Sequence, residues 1–484
     1  MALNLVRNSK VFFTTNVDAT TGKVNTSGFT SSNTYELQVL EGFSFSQNTN
    51  NETVTIMEGG NAPVRGQRSF NTSLAPVDFS FSTYLRPKNI TTAINAEESV
   101  LWNAMFSTVD TNTSAISIGG TISGATYAFN NGVGTVTISG TTLTAAGASV
   151  GDIVVLSGLS VTTGAAETYF NAAATIATIS ATSITLQLVN PTTTATTLTT
   201  PTSVKLYKSA WAPVKSSYSY ASSAASDKHQ LIKFGMIFIV DQVAYVVDNS
   251  AMAQVTIDFG LDAIATAAWT GQGTTLRQVS TGLTATNGTF TGSGLTGSYL
   301  AKVTDAQYIA NKLSTVALTL VNSLKDASGA TQGAAGDTYT VPITGGSITI
   351  NNNITYLTPA NLGVVNTPVA YYTGTRAITG TLNAYLRTGG TRDTGELLAD
   401  MLASASATTE PMAALAVSIG GGASTVKVVL DMPATVLQIP SVDVQQVVST
   451  AINFTAEGSV ASSTADANAY DLTKANDIAV RYYA

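Results

Sequence analysis

Alternation of apolar and polar residues in one segment places the strongest limit on the fold. In the segment VDFSFSTYLR, residues 77–86, every second residue from Val77 to Leu85 points to one face and the intervening residues point to the other. A period of two is typical of a β-strand that buries one face and exposes the other. Similar alternating or β-branched runs, separated by Gly and Asn clusters, cover 35–45, 135–138, 184–189, 237–247 and 426–430. The sequence therefore predicts a mainly β protein.

Helical patterns are few. A helix is predicted over 95–106, with Asn95 and Glu98 spaced as a capping box. A second helix is predicted over 393–402, with Asp393 and Glu396 in the same spacing. The apolar stripes of the two helices are Val100, Leu101, Ala104 and Met105, and Leu397, Leu398, Met401 and Leu402. Residues 304–313 form a third candidate helix.

The first strand and helix recur later in the chain. Residues 77–86 match residues 378–387 at a constant offset of 301, and the helices that follow match at an offset of 297. Two further matches in the same order pair 34–45 with 338–350 and 254–271 with 446–458. The shared order predicts a duplicated domain. The alternative is that a β-rich chain of low charge produces such similarities by chance.

The two copies differ by an insertion near 107–210. Between Gly119 and Thr200 its charged residues are Asp152 and Glu167, and several short β-branched runs suggest a small β-barrel or sandwich domain. A disordered low-complexity spacer is the alternative. The predicted fold class is mainly β, with two tandem β-sandwich or barrel domains, each with a short flanking helix, plus this inserted β-domain. The predicted boundaries are 1–106 and 211–290 for the first domain, 107–210 for the insertion and 291–484 for the second domain.

Composition excludes several classes of function. The chain has 22 Lys and Arg against 29 Asp and Glu, a net charge of −7. This charge argues against a protein that binds DNA or an anionic membrane by electrostatic attraction. It has no Cys, so a disulfide framework, a zinc ribbon and a thiol nucleophile are excluded. The N-terminus shows no signal-peptide core, and no apolar run reaches the length of a membrane helix. We expect a protein made and assembled in the cytoplasm.

Candidate catalytic and ligand-binding groups are better explained as structure. His229 is the one histidine and lies in a polar stretch without a nucleophile elbow. The segment Gly292–Gly297 matches G-x-G-x-x-G without a βαβ pattern around it, which favours a flexible loop. Asp258 and Asp262 lack the spacing of an EF-hand loop, and Glu97 and Glu98 suit the start of a helix. Gly pairs at 59–60, 119–120, 345–346 and 420–422 are predicted to be turns. We therefore predict no catalytic, cofactor-binding or metal site, and a protein that is not an enzyme.

These features together resemble a known family. A β-rich, cysteine-free chain of low charge, with an extended N-terminal segment and the strand FSFSTYLR leading into a short helix, resembles bacteriophage tail tube proteins. The resemblance implies β-sandwich domains with a flanking helix, arranged six to a ring whose inner sheets close into a barrel. Rings stack into the tube through which the genome passes. The duplication resembles the siphophage variant, in which three chains form a pseudo-hexameric ring.

The resemblance also implies partners and a location. The partners are other copies of the chain, the tape measure and tail terminator proteins, and viral DNA that passes without specific binding; no membrane partner is expected. The location is the virion tail, assembled in the host cytoplasm. Residues 107–210 resemble the small decoration domains of phage tails, which favours a non-contractile tail. Segments 4–34, 47–61 and 282–297 are expected to be flexible arms and loops that order on assembly.

Two other classes remain open at this point. One is a different structural protein, either a phage capsid decoration or baseplate protein or an adhesin built from Thr-rich sandwiches. The other is a carbohydrate-active enzyme on a β-scaffold, which would need a pair of carboxylates that the sequence does not reveal.

Overall fold

The computed structural model describes residues 9–54, 68–90, 93–106, 116–130, 133–148, 150, 153–188, 191–207, 210–211, 231–261, 263–302, 308–406, 411–420, 427–444, 447–457 and 477–483. These residues form 36 strands and two α-helices, so the prediction of a mainly β fold is confirmed. The first part of the chain contains β1 (Lys10–Thr14), β2 (Thr34–Leu37), β3 (Ser44–Val54), β4 (Arg68–Tyr84), β5 (Pro87–Ile90), β6 (Ala93–Ala96) and α1 (Ser99–Phe106).

The predicted insertion and the segment after it contain further strands. The first group is β7 (Ile116–Ser117), β8 (Gly119–Asn130), β9 (Val133–Thr144), β10 (Ile153–Ser157), β11 (Val161–Thr163), β12 (Ala173–Ile179), β13 (Ser183–Leu188), β14 (Thr197–Leu198) and β15 (Lys205–Tyr207). The second group is β16 (Ala210–Trp211), β17 (Phe234–Val240), β18 (Val243–Gly260), β19 (Thr266–Gly273), β20 (Thr275–Thr281), β21 (Thr284–Thr286), β22 (Thr289–Thr291) and β23 (Gly297–Ser298).

The remainder of the chain contains the second helix and the last strands. The strands before the helix are β24 (Thr315–Leu320), β25 (Leu324–Lys325), β26 (Thr331–Gly333), β27 (Thr338–Thr340), β28 (Ile343–Asn351), β29 (Ile354–Leu357), β30 (Ala370–Thr373) and β31 (Ala377–Tyr385). The helix and the strands after it are α2 (Thr394–Ser404), β32 (Met412–Gly420), β33 (Lys427–Leu437), β34 (Ser441–Asp443), β35 (Ser449–Glu457) and β36 (Ala479–Tyr483).

The same antiparallel pairing order occurs twice in the large sheet. In the first half, β2 pairs with β1, β1 with β17, β17 with β18, and β18 with both β20 and β19, and the order continues through β4 to β3. In the second half, β27, β24, β32 and β33 pair in turn, β33 pairs with both β36 and β35, and β31 and β28 follow. The matched segments 77–86 and 378–387 thus overlap β4 and β31, which hold the same place in the two orders.

One sequence match falls on strands that are not equivalent. Residues 254–260 lie in β18, whereas residues 449–457 form β35, whose counterpart in the pairing order is β19. The match of 254–271 with 446–458 was therefore wrong in register. Apolar residues alternate in all of these strands, so a shifted match keeps the same pattern and gives a similar sequence score.

The predicted insertion contains a separate sheet with a separate core. Strands β7, β15, β10, β12, β13, β9 and β8 form one seven-stranded antiparallel sheet, and β11 pairs with β14 as a short ribbon. Sheet and ribbon share one cluster of buried apolar side chains, including Val136, Leu186 and Leu198, distinct from the core of the large sheet. Ala210, at the predicted end of the insertion, pairs with Arg481 of β36 and so lies in the large sheet.

The helices differ in how well the sequence placed them. Helix α2 begins after the N-cap Asp393, whose carboxylate accepts a hydrogen bond of 3.0 Å from the Glu396 amide, so its cap is confirmed. The Leu402 side chain, predicted to be in the apolar stripe, is exposed. Helix α1 begins at Ser99, and the predicted cap Asn95 is wrong because its backbone pairs with Lys88 in the β5–β6 hairpin.

The structure also differs from several other sequence predictions. In the candidate helix 304–313, residues 304–307 lie outside the described part of the chain, and the described remainder holds one 3-10 turn, Asn311–Leu313. The predicted turns Gly345–Gly346 and Gly119–Gly120 lie within β28 and β8. Two of the segments expected to be flexible arms and loops supply buried side chains: Val11, Phe12, Phe13, Val24 and Phe29 from 4–34, and Leu283, Phe290 and Leu295 from 282–297. Gly59, Gly60 and residues 55–61 lie outside the described residues.

Candidate functional surface on the shared sheet

A strand pair joins the two halves of the large sheet. The second part of β18 pairs with β28, from Gln254 opposite Asn351 to Gly260 opposite Gly345. Each of these strands continues into its own half, β18 through β19 and β4 to β3, and β28 through β31 and β35 to β34. The two halves therefore form one continuous antiparallel sheet across the chain.

This sheet has one buried face and one polar face, as strand alternation requires. On the buried face, Ile257 of β18 and Ile348 of β28 lie opposite each other in the core, with Trp269 and Leu382 on the strands beside them. The polar face carries the alternate side chains: Ser44, Ser46, Asp78, Ser80, Ser82, Gln254, Thr256, Asp258, Ala268, Thr270, Gln272, Ser347, Thr349, Asn351, Thr379, Thr381, Asn383, Ser441, Asp443, Ala451, Asn453, Thr455 and Glu457.

Hydrogen bonds between neighbouring strands connect the polar side chains. The hydroxyls of Ser44 and Ser80 lie 2.8 Å apart, and Gln272 Nε2 donates to Asp78 Oδ1 over 2.9 Å. Across the joint between the halves, the hydroxyls of Thr256 and Thr349 lie 3.1 Å apart. In the second half, Thr381 Oγ1 donates to Asn453 Oδ1 over 2.7 Å. Cross-strand polar pairs of this kind stabilise the sheet and fix its side chains.

The charge on this face has one sign. Its acidic residues are Asp78, Asp258, Asp443 and Glu457, and the residues named above for this face include no Lys or Arg. Burial raises the pKa of the Asp258 carboxyl above its usual value. A polyanion beside such a surface meets neutral hydroxyls and amides together with carboxylates, so it is repelled and finds no cation to hold it.

The structure accounts for the other groups considered from the sequence. Glu98 is buried and accepts a hydrogen bond from the Tyr482 hydroxyl, while Glu97 pairs with Arg86 at 2.9 Å. Leu295 of the Gly292–Gly297 segment is buried, so this segment is a packed turn between β22 and β23. His229 and Asp262 lie outside the described residues. Among the residues that are described, no group of three or more acidic or histidine side chains is placed to hold a metal ion.

Comparison with known proteins finds a relative among phage proteins. No protein-family model matches the chain. Over 391 residues, which is 80% of this chain, it is 25% identical to the tail tube protein pb6 of Escherichia phage T5. The chain is similar to a phage tail tube protein. The resemblance inferred from the sequence is therefore confirmed, and the match spans 58% of the length of the phage T5 protein.

Two ion pairs at equivalent places, each with a buried Asp, were not found by sequence reasoning about this tail-tube-like chain. Arg277 of β20 contacts Asp248 of β18 at 2.6 Å, and Arg481 of β36 contacts Asp431 of β33 at 2.5 Å. In both cases the residue directly opposite the Arg in the neighbouring strand lies two positions before the Asp. The signal available in the sequence was a lone Asp within an apolar run, in VVDNS and in VVLDM.

The helices do not form membrane spans. Neither α1 nor α2, nor any other helical segment in the described ranges, is long and apolar enough to cross a membrane.

Proposed function

We propose that this chain is a structural virion protein that assembles into stacked rings, forming the phage tail tube through which the genome is ejected. The observation that carries the proposal is the continuous sheet with one apolar face in the core and one polar face with acidic and no basic residues. Such a face suits a conduit for DNA because phosphates pass it without being bound. The similarity to the phage T5 tail tube protein supports the same role.

The repeated pairing order supports a ring of three chains. We infer two tandem tube domains, 1–106 with 211–290 and 291–484, with 107–210 as an inserted domain. Each tube domain contributes one set of sheet strands, so three chains provide six equivalent sets around a closed ring with three-fold symmetry. Closing the sheets into a barrel removes the exposed strand edges that otherwise promote uncontrolled pairing.

The proposed partners follow from this role. They are other copies of the chain within and between rings, the tape measure protein inside the tube, the tail terminator at its end, and viral DNA that passes without specific binding. The protein would be assembled in the host bacterial cytoplasm and reside in the virion tail. It would act as a structural protein and not as an enzyme.

Electron microscopy of the purified chain tests the proposal. We expect rings or tubes with an open lumen, six-fold features in projection, and a ring mass equal to three chains. Rings of six chains would contradict the three-chain arrangement. A chain that stays monomeric at high concentration, in the presence and absence of other tail proteins, would contradict the tail tube function itself.

A further inference from the structure

The joint between β18 and β28 is a template for a second joint. Among the described residues, β3 pairs with β4 alone and β34 pairs with β35 alone, so each has one edge without a strand. These two edges end the shared sheet on opposite sides. In the repeated order, β3 holds the place of β28, and the segment 438–444, which includes β34, holds the place of residues 253–259 in β18.

The shared neighbours fix this equivalence residue by residue. Ser44 lies opposite Ser80 in β4 just as Ser347 lies opposite Thr381 in β31, and Ser80 and Thr381 match at the offset of 301. On the other side, Asp443 lies opposite Ser449 of β35 just as Asp258 lies opposite Thr266 of β19. Ser449 and Thr266 in turn face Tyr385 and Tyr84, which match at the same offset.

Transferring the register of the first joint gives specific contacts on the polar face. Asp258 faces Ser347, which places Asp443 opposite Ser44. Thr256 faces Thr349, with their hydroxyls 3.1 Å apart, which places Ser441 opposite Ser46. An Asp–Ser pair and a pair of hydroxyls thus recur with the same chemistry, although the residues differ.

The buried face is complementary in the same register. Ile257 faces Ile348, which places Val442 opposite Phe45. Phe259 faces Gly346, which places Val444 opposite Phe43. The large and small side chains of this pair exchange strands between the two joints. Phe259 of the first joint has Val444 as its counterpart, and Gly346 has Phe43. The volume across each pair is therefore filled in both joints.

Exposure shows that the described part of the chain leaves the apolar side of segment 438–444 uncovered. Val442 and Val444, which alternate with Ser441 and Asp443, are 43% and 79% exposed. On the other edge, Phe43 and Phe45 stack on Phe238, with ring centroids 5.6 and 4.8 Å away. Both side chains are still partly exposed. Burying these side chains removes apolar area from water, which favours association.

We propose that segment 438–444 of one chain pairs antiparallel with β3 of a second copy, with Ser441 opposite Ser46, Val442 opposite Phe45 and Asp443 opposite Ser44. The occupant of each edge is thus another copy of this chain. This inference rests on the proposed ring assembly and adds the register of its contact. The sheet and its acidic, base-free face continue from chain to chain without interruption.

Cysteine cross-linking of the full chain tests the register, because the chain has no Cys of its own. Residues directly opposite in neighbouring strands are close enough for a disulfide, whereas residues two positions away are not. The test variant is Ser46→Cys with Ser441→Cys, oxidised after assembly and run on a non-reducing gel. The within-chain positive control is Thr256→Cys with Thr349→Cys. The register-shifted control is Ser44→Cys with Ser441→Cys, and each single substitution is a further control.

We expect the test pair to convert most of the assembled protein into covalent multimers that end at the trimer, with at least tenfold less product from the shifted pair. Tubes that link through the shifted pair, or through neither pair, would overturn the register and leave the tail tube function in place. A fast-migrating monomer would show that the edges pair within one chain, which also overturns the inference. Chains that form no assembly and no cross-link would overturn both proposals.

Discussion

The buried carboxyl of Glu98 makes the stability of the protein depend on pH. Burial raises the pKa of Glu98 to about 8, and the hydrogen bond from the Tyr482 hydroxyl opposes this only in part. In the unfolded chain the pKa is near 4.5. Since the folded pKa is the higher one, the folded state binds the proton more tightly. The stability contributed by the protonated Glu98 carboxyl is fully present below the unfolded pKa and is lost as pH rises through the folded pKa.

We therefore expect the free energy of unfolding to fall between pH 5 and pH 9, by roughly 4 kcal/mol from this group. Glu98→Gln keeps an acceptor for Tyr482 without the charge, so this variant should lose that part of the pH dependence. Urea unfolding at several pH values measures the difference. Glu41→Gln, at an exposed position, serves as the charge-removal control. Parallel pH profiles for the wild-type and Glu98→Gln chains would contradict the prediction.

The buried pair of Asp431 and Arg481 tests how β36 is held. Both side chains are almost fully buried, and Asp431 contacts Arg481 at 2.5 Å. We expect Asp431→Asn to reduce the free energy of unfolding by about 3 kcal/mol, because it leaves the guanidinium buried without its counter-charge. The double variant with Arg481→Met should recover most of that loss. A double variant as unstable as the single one, in the same denaturation assay, would argue against the ion pair as the cause.

At the scale of elements, alternation predicted the strands well and their partners less well. The strand of residues 77–86 and the capped helix α2 were found because their local pattern determines them. The sequence placed the start of helix α1 at Asn95 because capping residues are common in polar sequence. In the structure Asn95 belongs to the β5–β6 hairpin, which depends on backbone pairing with Lys88 and has no local sequence signal. The polar face could not be placed from sequence, because its residues come from strands far apart in the chain. Its base-free character is visible only once the register is known.

Gly346 tests the joint between the two halves. A Cβ at this position would lie 2.6 Å from the Thr381 carbonyl oxygen and 2.9 Å from the Phe259 ring. We expect Gly346→Ala to destabilise the protein by about 2 kcal/mol through overpacking. Gly260, at the end of the same joint, has open space around the corresponding position and no positive φ. Gly260→Ala is the matched control and should change the unfolding midpoint little; equal effects of the two variants would contradict this account.

At the scale of the whole molecule, helix α1, the last described element before the predicted insertion, lies on the side of the large sheet away from the polar face. This helix packs its Trp102 ring 4.9 Å from Trp269, a residue of the buried face of β19. The polar face lies on the opposite side of that strand. If that face lines the lumen, the insertion projects outward. A domain of this size directed inward would block a channel wide enough for DNA.

We therefore expect the inserted domain to be dispensable for the tube. Its buried residues form a cluster separate from the core of the large sheet, so its removal leaves that core intact. The variant replaces residues 116–207 with a short Gly/Ser linker and keeps Ala210 and Trp211, since these pair with β36. Electron microscopy should show tubes with the same lumen and a smaller outer diameter. An outward domain fits a non-contractile tail, because no sheath then surrounds the tube. A folded variant that forms no tubes would place the domain in the ring contact, and one whose lumen widens would place it inside.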